Sequence, residues 1–125
     1  IDQFNAFVAI DTLRVNGELT QGENIADLGG LTMAYYAYKK SLNGKKSPVM
    51  AGFTGEQRFF MAWAQGWKNL ARDAAEKQLL ATDPHAPGKF RGFAPLTNMP
   101  EFYEAFNIKE GDPMYRKPEV RVEIW

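Results

Sequence analysis

The chain has 125 residues, with 15 basic and 15 acidic side chains, one histidine and no cysteine. A formal charge of zero, with neither sign gathered into a long block, leaves no electrostatic footprint for nucleic acid or an anionic membrane surface. The lack of cysteine excludes disulfides and thiolate chemistry, while 45% hydrophobic residues with nine Phe, five Tyr and three Trp suit one domain over 1–125.

Residues 1–19 read as an irregular or mixed lead-in, in which Phe4, Phe7, Val8, Ile10 and Leu13 are apolar without a sustained period and Asn16-Gly17 signals a turn. Thr20-Gln21-Gly22-Glu23 has the spacing of a capping box, and a helix is predicted from there to about Ser41. Its core stripe would include Ile25, Leu28, Leu31, Thr32, Tyr35 and Tyr38 or Lys39. Gly29-Gly30 weakens such a helix by roughly 1 kcal/mol per glycine, which points to close packing there.

Leu42 to Gly52 reads as a solvated connection, and Thr54-Gly55-Glu56-Gln57 is a second capping-box spacing. The helix it opens, through Phe59, Phe60, Trp63, Trp67 and Leu70, would run to Leu80 either directly or after a kink. Pro84, Pro87, Gly88, Gly92 and Pro95 make 82–98 a long loop, which Phe90 and Phe93 would keep ordered. Asn98-Met99-Pro100-Glu101 opens a short helix through Phe102, Tyr103 and Phe106. The tail ends on an alternating Val120-Arg121-Val122-Glu123-Ile124-Trp125, a short strand or an extended segment pinned by Trp125. The fold class is therefore mainly α. No apolar run reaches transmembrane length, and Ile1-Asp2-Gln3-Phe4 has no signal-peptide character.

The polar residues of most interest are Glu23 and Asp27, two carboxylates one helical turn apart that repel by a few tenths of a kcal/mol unless a cation meets them. The same face continues through Gly30, Ala34 and Ala37, which would let another helix approach. Two readings of Glu23 stand side by side: the distal member of a capping box, or a metal ligand with Asp27 supporting a ligating histidine. A catalytic zinc needs about three protein ligands. With His85 the one histidine, the chain cannot complete such a site alone.

His85 lies in Asp83-Pro84-His85-Ala86-Pro87, with Arg91 six residues on. It reads either as a surface loop residue or as an imidazole that donates to a developing oxyanion while the guanidinium grips a carbonyl or carboxylate. Asp83 reads first as a turn initiator before Pro84, and also as a partner that could orient His85. The aromatic residues Phe59, Phe60, Trp63 and Trp67 read first as core and second as a substrate pocket.

Asn16-Gly17-Glu18-Leu19-Thr20 running into Gly22-Glu23-Asn24-Ile25-Ala26-Asp27-Leu28-Gly29-Gly30 strongly resembles the C-terminal catalytic region of the neprilysin and endothelin-converting-enzyme family of zinc endopeptidases. Three further blocks agree in order: Arg58 to Trp67, Asp83 to Arg91, and Pro95 to Phe102 with Ala105-Phe106. The C-terminal Trp125 also matches. The resemblance implies that Glu23 is the third zinc ligand, completing a site whose two histidines come from an upstream His-Glu-x-x-His helix. Asp27 would orient one of those histidines, His85 would stabilise the tetrahedral intermediate, Arg91 would bind the substrate backbone, and Trp67 would wall the pocket after the scissile bond. It implies zinc as cofactor, peptides as substrates, the upstream part of the same polypeptide as partner, and an extracytoplasmic location.

This sequence departs from the pattern in lacking His-Glu-x-x-His. The chain is therefore expected to be the C-terminal piece of a larger catalytic domain, inactive alone and prone to self-association through the apolar face the missing helices would cover. Vertebrate members carry cysteines where this chain has Lys68, Ile108 and Val122, so it resembles the bacterial members. Two other readings are open at this level: a helical interaction module using the Glu23, Asp27, Gly30, Ala34 face, and a family member that has lost its metal.

Overall fold

Asn16, not Thr20, opens the principal helix. A computed structural model describes residues 1–124, so the expected role of Trp125 lies outside the described residues. Helix α2 spans Gly17–Ser41, and the Asn16 side chain accepts from the backbone N–H of Leu19 at 3.0 Å. An extended Asn at this position is among the strongest N-caps, and it claims the helix start one turn before the expected Thr20. The Thr20 hydroxyl instead donates to the Asn16 carbonyl at 3.0 Å and accepts from Asn24 Nδ2 at 2.9 Å. Glu23 thus lies inside the helix and has no capping duty. The helix still ends at Ser41, as predicted.

Upstream of it, the irregular lead-in resolves into a single helical turn, α1 (Asp2–Asn5), and a small antiparallel hairpin of β1 (Val8–Ile10) and β2 (Leu13–Arg14). Asp11 adopts φ 52° in the turn, a left-handed conformation that Asp tolerates better than most residues. Downstream come α3 (Gly55–Gly66), α4 (Asp73–Thr82), α5 (Gly88–Phe93) and α6 (Pro100–Phe106), with 3-10 turns at Leu96–Asn98 and Pro118–Val120.

The second capping box is formed as expected: Thr54 accepts from Gln57 N at 3.2 Å and Gln57 Oε1 accepts from Thr54 N at 3.0 Å. The predicted continuation to Leu80 is broken after Gly66, where Trp67 caps α3, and α4 starts afresh at Asp73. The segment expected as a loop over 82–98 contains α5 and the turn at Leu96–Asn98. Neither of its glycines breaks the helix, and Gly88 serves a close approach. A Cβ at Gly88 would meet the Trp67 carbonyl oxygen at 2.8 Å and Asn69 Oδ1 at 2.7 Å, while one at Gly92 would touch Trp67 Cβ at 3.4 Å. Asn98 does not cap α6, whose N-cap is Met99 with Pro100 at the first helical position. The tail after Val120 is extended, with no strand partner among the described residues.

Two apolar clusters hold these elements together. Leu28, Leu31 and Tyr35 of α2 meet Phe60 of α3 and Leu96, Met99, Phe102 and Tyr103 near α6. Phe60 is 1% exposed, stacks on Tyr35 at 5.3 Å and meets Phe102 edge-on at 5.4 Å, a burial that contributes about 2–3 kcal/mol. The second cluster packs Phe4, Ala9 and Val15 of the lead-in against Ala86, Phe90 and Ala94, with Phe7 stacked on Phe90 at 4.7 Å. Helix α5 is therefore gripped from below by the lead-in and from the side by α3. Ile25, expected in the core, is exposed, as are Gly30, Ala34 and Ala37, and no atom lies within 4 Å of a Cβ built at Gly30.

Candidate active site

The residues singled out in the sequence come from four separate elements and converge at one place. Glu23 and Asp27 lie on successive turns of α2, Trp67 ends α3, His85 lies in the loop between α4 and α5, and Arg91 is on α5. Arg91 is the hub. Its Nε and Nη2 donate to the two carboxylate oxygens of Asp27 at 2.7 and 2.8 Å, a bidentate pair with side-chain exposures of 12% and 8%. Its guanidinium carbon lies 4.0 Å from the centre of the Trp67 ring, and its Nη2 lies 3.6 Å from Glu23 Oε2. The hydrogen bonds to Asp27 lead the influences that raise the guanidinium pKa, outweighing the opposing effect of burial. Arg91 is therefore charged at every pH the protein meets.

His85 sits at the open edge of this cluster. Its Nδ1 lies 2.7 Å from Asp83 Oδ1, which also accepts the His85 backbone N–H at 2.8 Å, so Asp83 both makes the turn and fixes the ring. Those two hydrogen bonds, the backbone one first, hold the Asp83 carboxyl below its ordinary range. The other ring nitrogen, Nε2, lies 3.2 Å from Glu23 Oε2. A doubly protonated ring donates to both carboxylates, whereas a ring protonated on Nδ1 alone turns a lone pair toward Glu23.

Burial grades across the site. Asp27 and Arg91 form a dry floor, while the Glu23 and His85 side chains keep 39% and 46% exposure. A cavity of about 390 Å³ opens beside them, lined by Trp67, Leu70, Leu79, Asp83, His85 and Arg91 among others. Trp67 also borders a second, largely apolar cavity of about 540 Å³ with Phe60, Ala64, Gly92, Phe102 and Phe106.

The donor set fits one member of a zinc site and no more. Glu23 is a carboxylate free of helix capping whose side chain is partly exposed at the open edge, which suits it to metal ligation. Among the described residues no group of three or more His, Cys, Asp or Glu side chains is disposed to hold a metal ion.

Some of the geometry had no counterpart in the sequence reading. Asp27 was expected to face a histidine from elsewhere, and both of its oxygens are engaged by Arg91, 64 residues away in sequence. No local pattern announces a pairing at that separation. Trp63, read as core, donates its indole N–H to the Arg91 carbonyl at 3.1 Å.

The sequence model of Peptidase family M13 matches residues 1–122. Neprilysin-21 of Caenorhabditis elegans is 41% identical over 127 residues, covering 97% of this chain and 16% of its own length. A neutral endopeptidase of Lactococcus lactis is 44% identical over 110 residues, covering 88% of this chain and 16% of its own length. Among solved structures, the Mycobacterium tuberculosis zinc metalloprotease Zmp1 in its open state superposes with a TM-score of 0.96 at 44% identity, over 100% of this chain and 20% of that one. The chain thus spans about a sixth to a fifth of the length of the proteins it matches. The fold is mainly α, as expected, and is the fold of that part of a zinc metalloprotease. Matched along nearly its whole length, the chain belongs to peptidase family M13, the neprilysin and endothelin-converting-enzyme family.

Proposed function

We propose that this chain is the C-terminal part of the catalytic domain of a zinc-dependent endopeptidase acting on short peptides, with Glu23 as the third zinc ligand. The observation that carries the reading is the meeting of Glu23 and His85 at 3.2 Å on the open rim of the Arg91–Asp27 floor, with Glu23 released from capping. The upstream part of the same polypeptide supplies the two histidines and the general-base glutamate of His-Glu-x-x-His. Zinc held by Glu23 and those two histidines would supply Lewis-acid chemistry, polarising the scissile carbonyl and acidifying a water.

The residues of this chain then have separate tasks. Arg91 spends Nε and one Nη2 proton on Asp27, and the Nη1 protons are left for a substrate carbonyl. Asp27 sets the orientation of that fork, and its remaining lone pairs can receive an upstream imidazole N–H. His85, oriented by Asp83, aims Nε2 at the place where negative charge develops and donates to it. Trp67 supports Arg91 from below and walls the side-chain pocket.

On this reading the chain alone is inactive, because it holds neither the general base nor two of the zinc ligands. The exposed side of α2, with Ile25, Met33 and Tyr36 about half exposed beside Gly30 and Ala34, is the face that the rest of the domain covers, and in the isolated chain it promotes self-association. The location is extracytoplasmic; no helix among the described residues is long and apolar enough to cross a membrane.

The test is Glu23→Gln in the intact protein, with zinc measured by elemental analysis after gel filtration. Zinc content is expected to collapse while the far-ultraviolet circular dichroism stays unchanged. Retention of a full equivalent of zinc would overturn the ligand assignment.

A further inference from the structure

The carbonyl of Arg91 has a difficulty written into the sequence. In a helix it would accept from the N–H four residues on, and that residue is Pro95, which has none. The next candidate, the N–H of Ala94, is spent on the Phe90 carbonyl at 2.8 Å. The acceptor is met instead from outside the helix, by the indole N–H of Trp63 at 3.1 Å.

Helix α5 has six residues, too few to hold its geometry by its own ladder, and no side chain caps its start. What fixes it is packing and this bond. Trp63 reaches across from α3, one turn before Trp67, and the two indoles meet edge to face at 5.6 Å. Trp67 in turn lies under the Arg91 guanidinium, and Gly92 of α5 packs beside its Cβ. One residue is thus held at three points: its side chain by Asp27, the face of its guanidinium by Trp67, and its main chain by Trp63.

We propose that Trp63 is a positioning residue for substrate binding, acting as a side-chain cap that replaces the donor missing at Pro95 and so sets where the Arg91 fork points. This rests on the reading of Arg91 as the group that grips the substrate backbone. Trp63 touches neither substrate nor metal in that reading. It acts through the main chain of Arg91, where a displacement of a fraction of an ångström is carried to the end of a long side chain.

The experiment is Trp63→Phe in the intact protein, which keeps an aromatic ring on α3 and removes the N–H. Steady-state kinetics on a short peptide substrate should show KM raised about three- to ten-fold, the scale of one hydrogen bond, with kcat within about two-fold of the parent and zinc content unchanged. A change that merely loosens the packing would lower the melting temperature and leave KM alone, and that outcome overturns the proposal. Repeating the substitution in an Arg91→Ala background keeps the test decisive if the single variant is also less stable. There Trp63→Phe should add no further rise in KM, and a full additional rise would show that Trp63 acts independently of Arg91, which again overturns it. Failure of the underlying reading looks different. Unaltered kinetics in Arg91→Ala would remove Arg91 from substrate binding, whereas impaired Arg91→Ala with normal Trp63→Phe removes only the role of Trp63.

Discussion

Two ion pairs in this chain share an N–O distance of 2.7 Å and differ in almost everything else. Arg91–Asp27 is bidentate with side-chain exposures of 12% and 8%, whereas Lys77–Asp11 is a single contact at 45% and 66%. Replacing each aspartate by asparagine removes one charge and keeps the shape. Asp11 sits at φ 52°, a conformation Asn also tolerates, so that variant isolates the loss of charge. For Asp27→Asn, breaking a buried pair costs about 3–5 kcal/mol when the surviving charge is stranded. Arg91 retains slight exposure, the Trp67 face and Glu23 at 3.6 Å, which lowers the expectation to about 2–3 kcal/mol. For Asp11→Asn, whose partner Lys77 is solvated, almost no change is expected. Urea unfolding of the intact protein, comparing both variants in the same transition, reads the difference as a midpoint shift of roughly 0.5–1 M for Asp27→Asn against almost none for Asp11→Asn. Equal shifts would refute the reasoning, because distance alone and not burial would then set the strength of the pair.

Two further outcomes follow from the site and its surroundings. On the proposed reading, His85→Ala in the intact protein should lower kcat by about a hundred- to a thousand-fold with zinc retained, as removal of an oxyanion donor does; a parallel loss of zinc would move His85 into the metal's own ligand set. At the far end of α2, the hydrogen bond from Lys39 to Glu56, 2.6 Å long, leads the influences that lower the Glu56 pKa and raise that of Lys39. Glu56 therefore contributes stability above its unfolded pKa that is lost as pH falls through its lower folded value. Lys39 contributes stability below its unfolded pKa that is lost as pH rises through its raised folded value. The pair is half-exposed, so each limb is worth about 0.3–1 kcal/mol. Glu56→Gln should flatten the acid limb of a melting-temperature profile by that amount, and an unchanged acid limb would count against the pair.

Local chemistry made the helices readable, and long-range contact decided the rest. The Thr54–Gln57 box and Pro100 at the start of α6 are local devices, and each helix begins where they say. Thr20 and Glu23 have the same spacing as a box, yet the stronger Asn16 cap took the helix start. α5 was hidden because Pro87, Gly88, Gly92 and Pro95 all read as breakers. Pro87 merely precedes the first turn, and Gly88 admits the Trp67 carbonyl and Asn69, which no neighbour in sequence reveals. For the candidate site, Glu23, Asp27, Trp67, His85 and Arg91 are singled out by the matching blocks, and the structure brings all five together. The double role of Asp83 is local to its own turn and was legible, whereas the grip of Asp27 on Arg91 and the service of Trp63 depend on the approach of α2, α3 and α5, which a linear reading does not contain.

The side-chain amide of Asn98 ties together parts of the chain that are remote in sequence. Its Nδ2 donates to Gln3 Oε1 at 2.9 Å and to the Ala94 carbonyl at 3.1 Å, and its Oδ1 accepts from Val122 N at 2.9 Å. One buried group therefore knots the first turn of the chain, the end of α5 and the extended tail. Loosening at either extremity releases a partner from an amide that also holds the carbonyl three residues after Arg91. Clipping the tail after Arg121 would accordingly be felt first in the helix that carries the guanidinium, and the two outer segments behave as one mechanical strap around it.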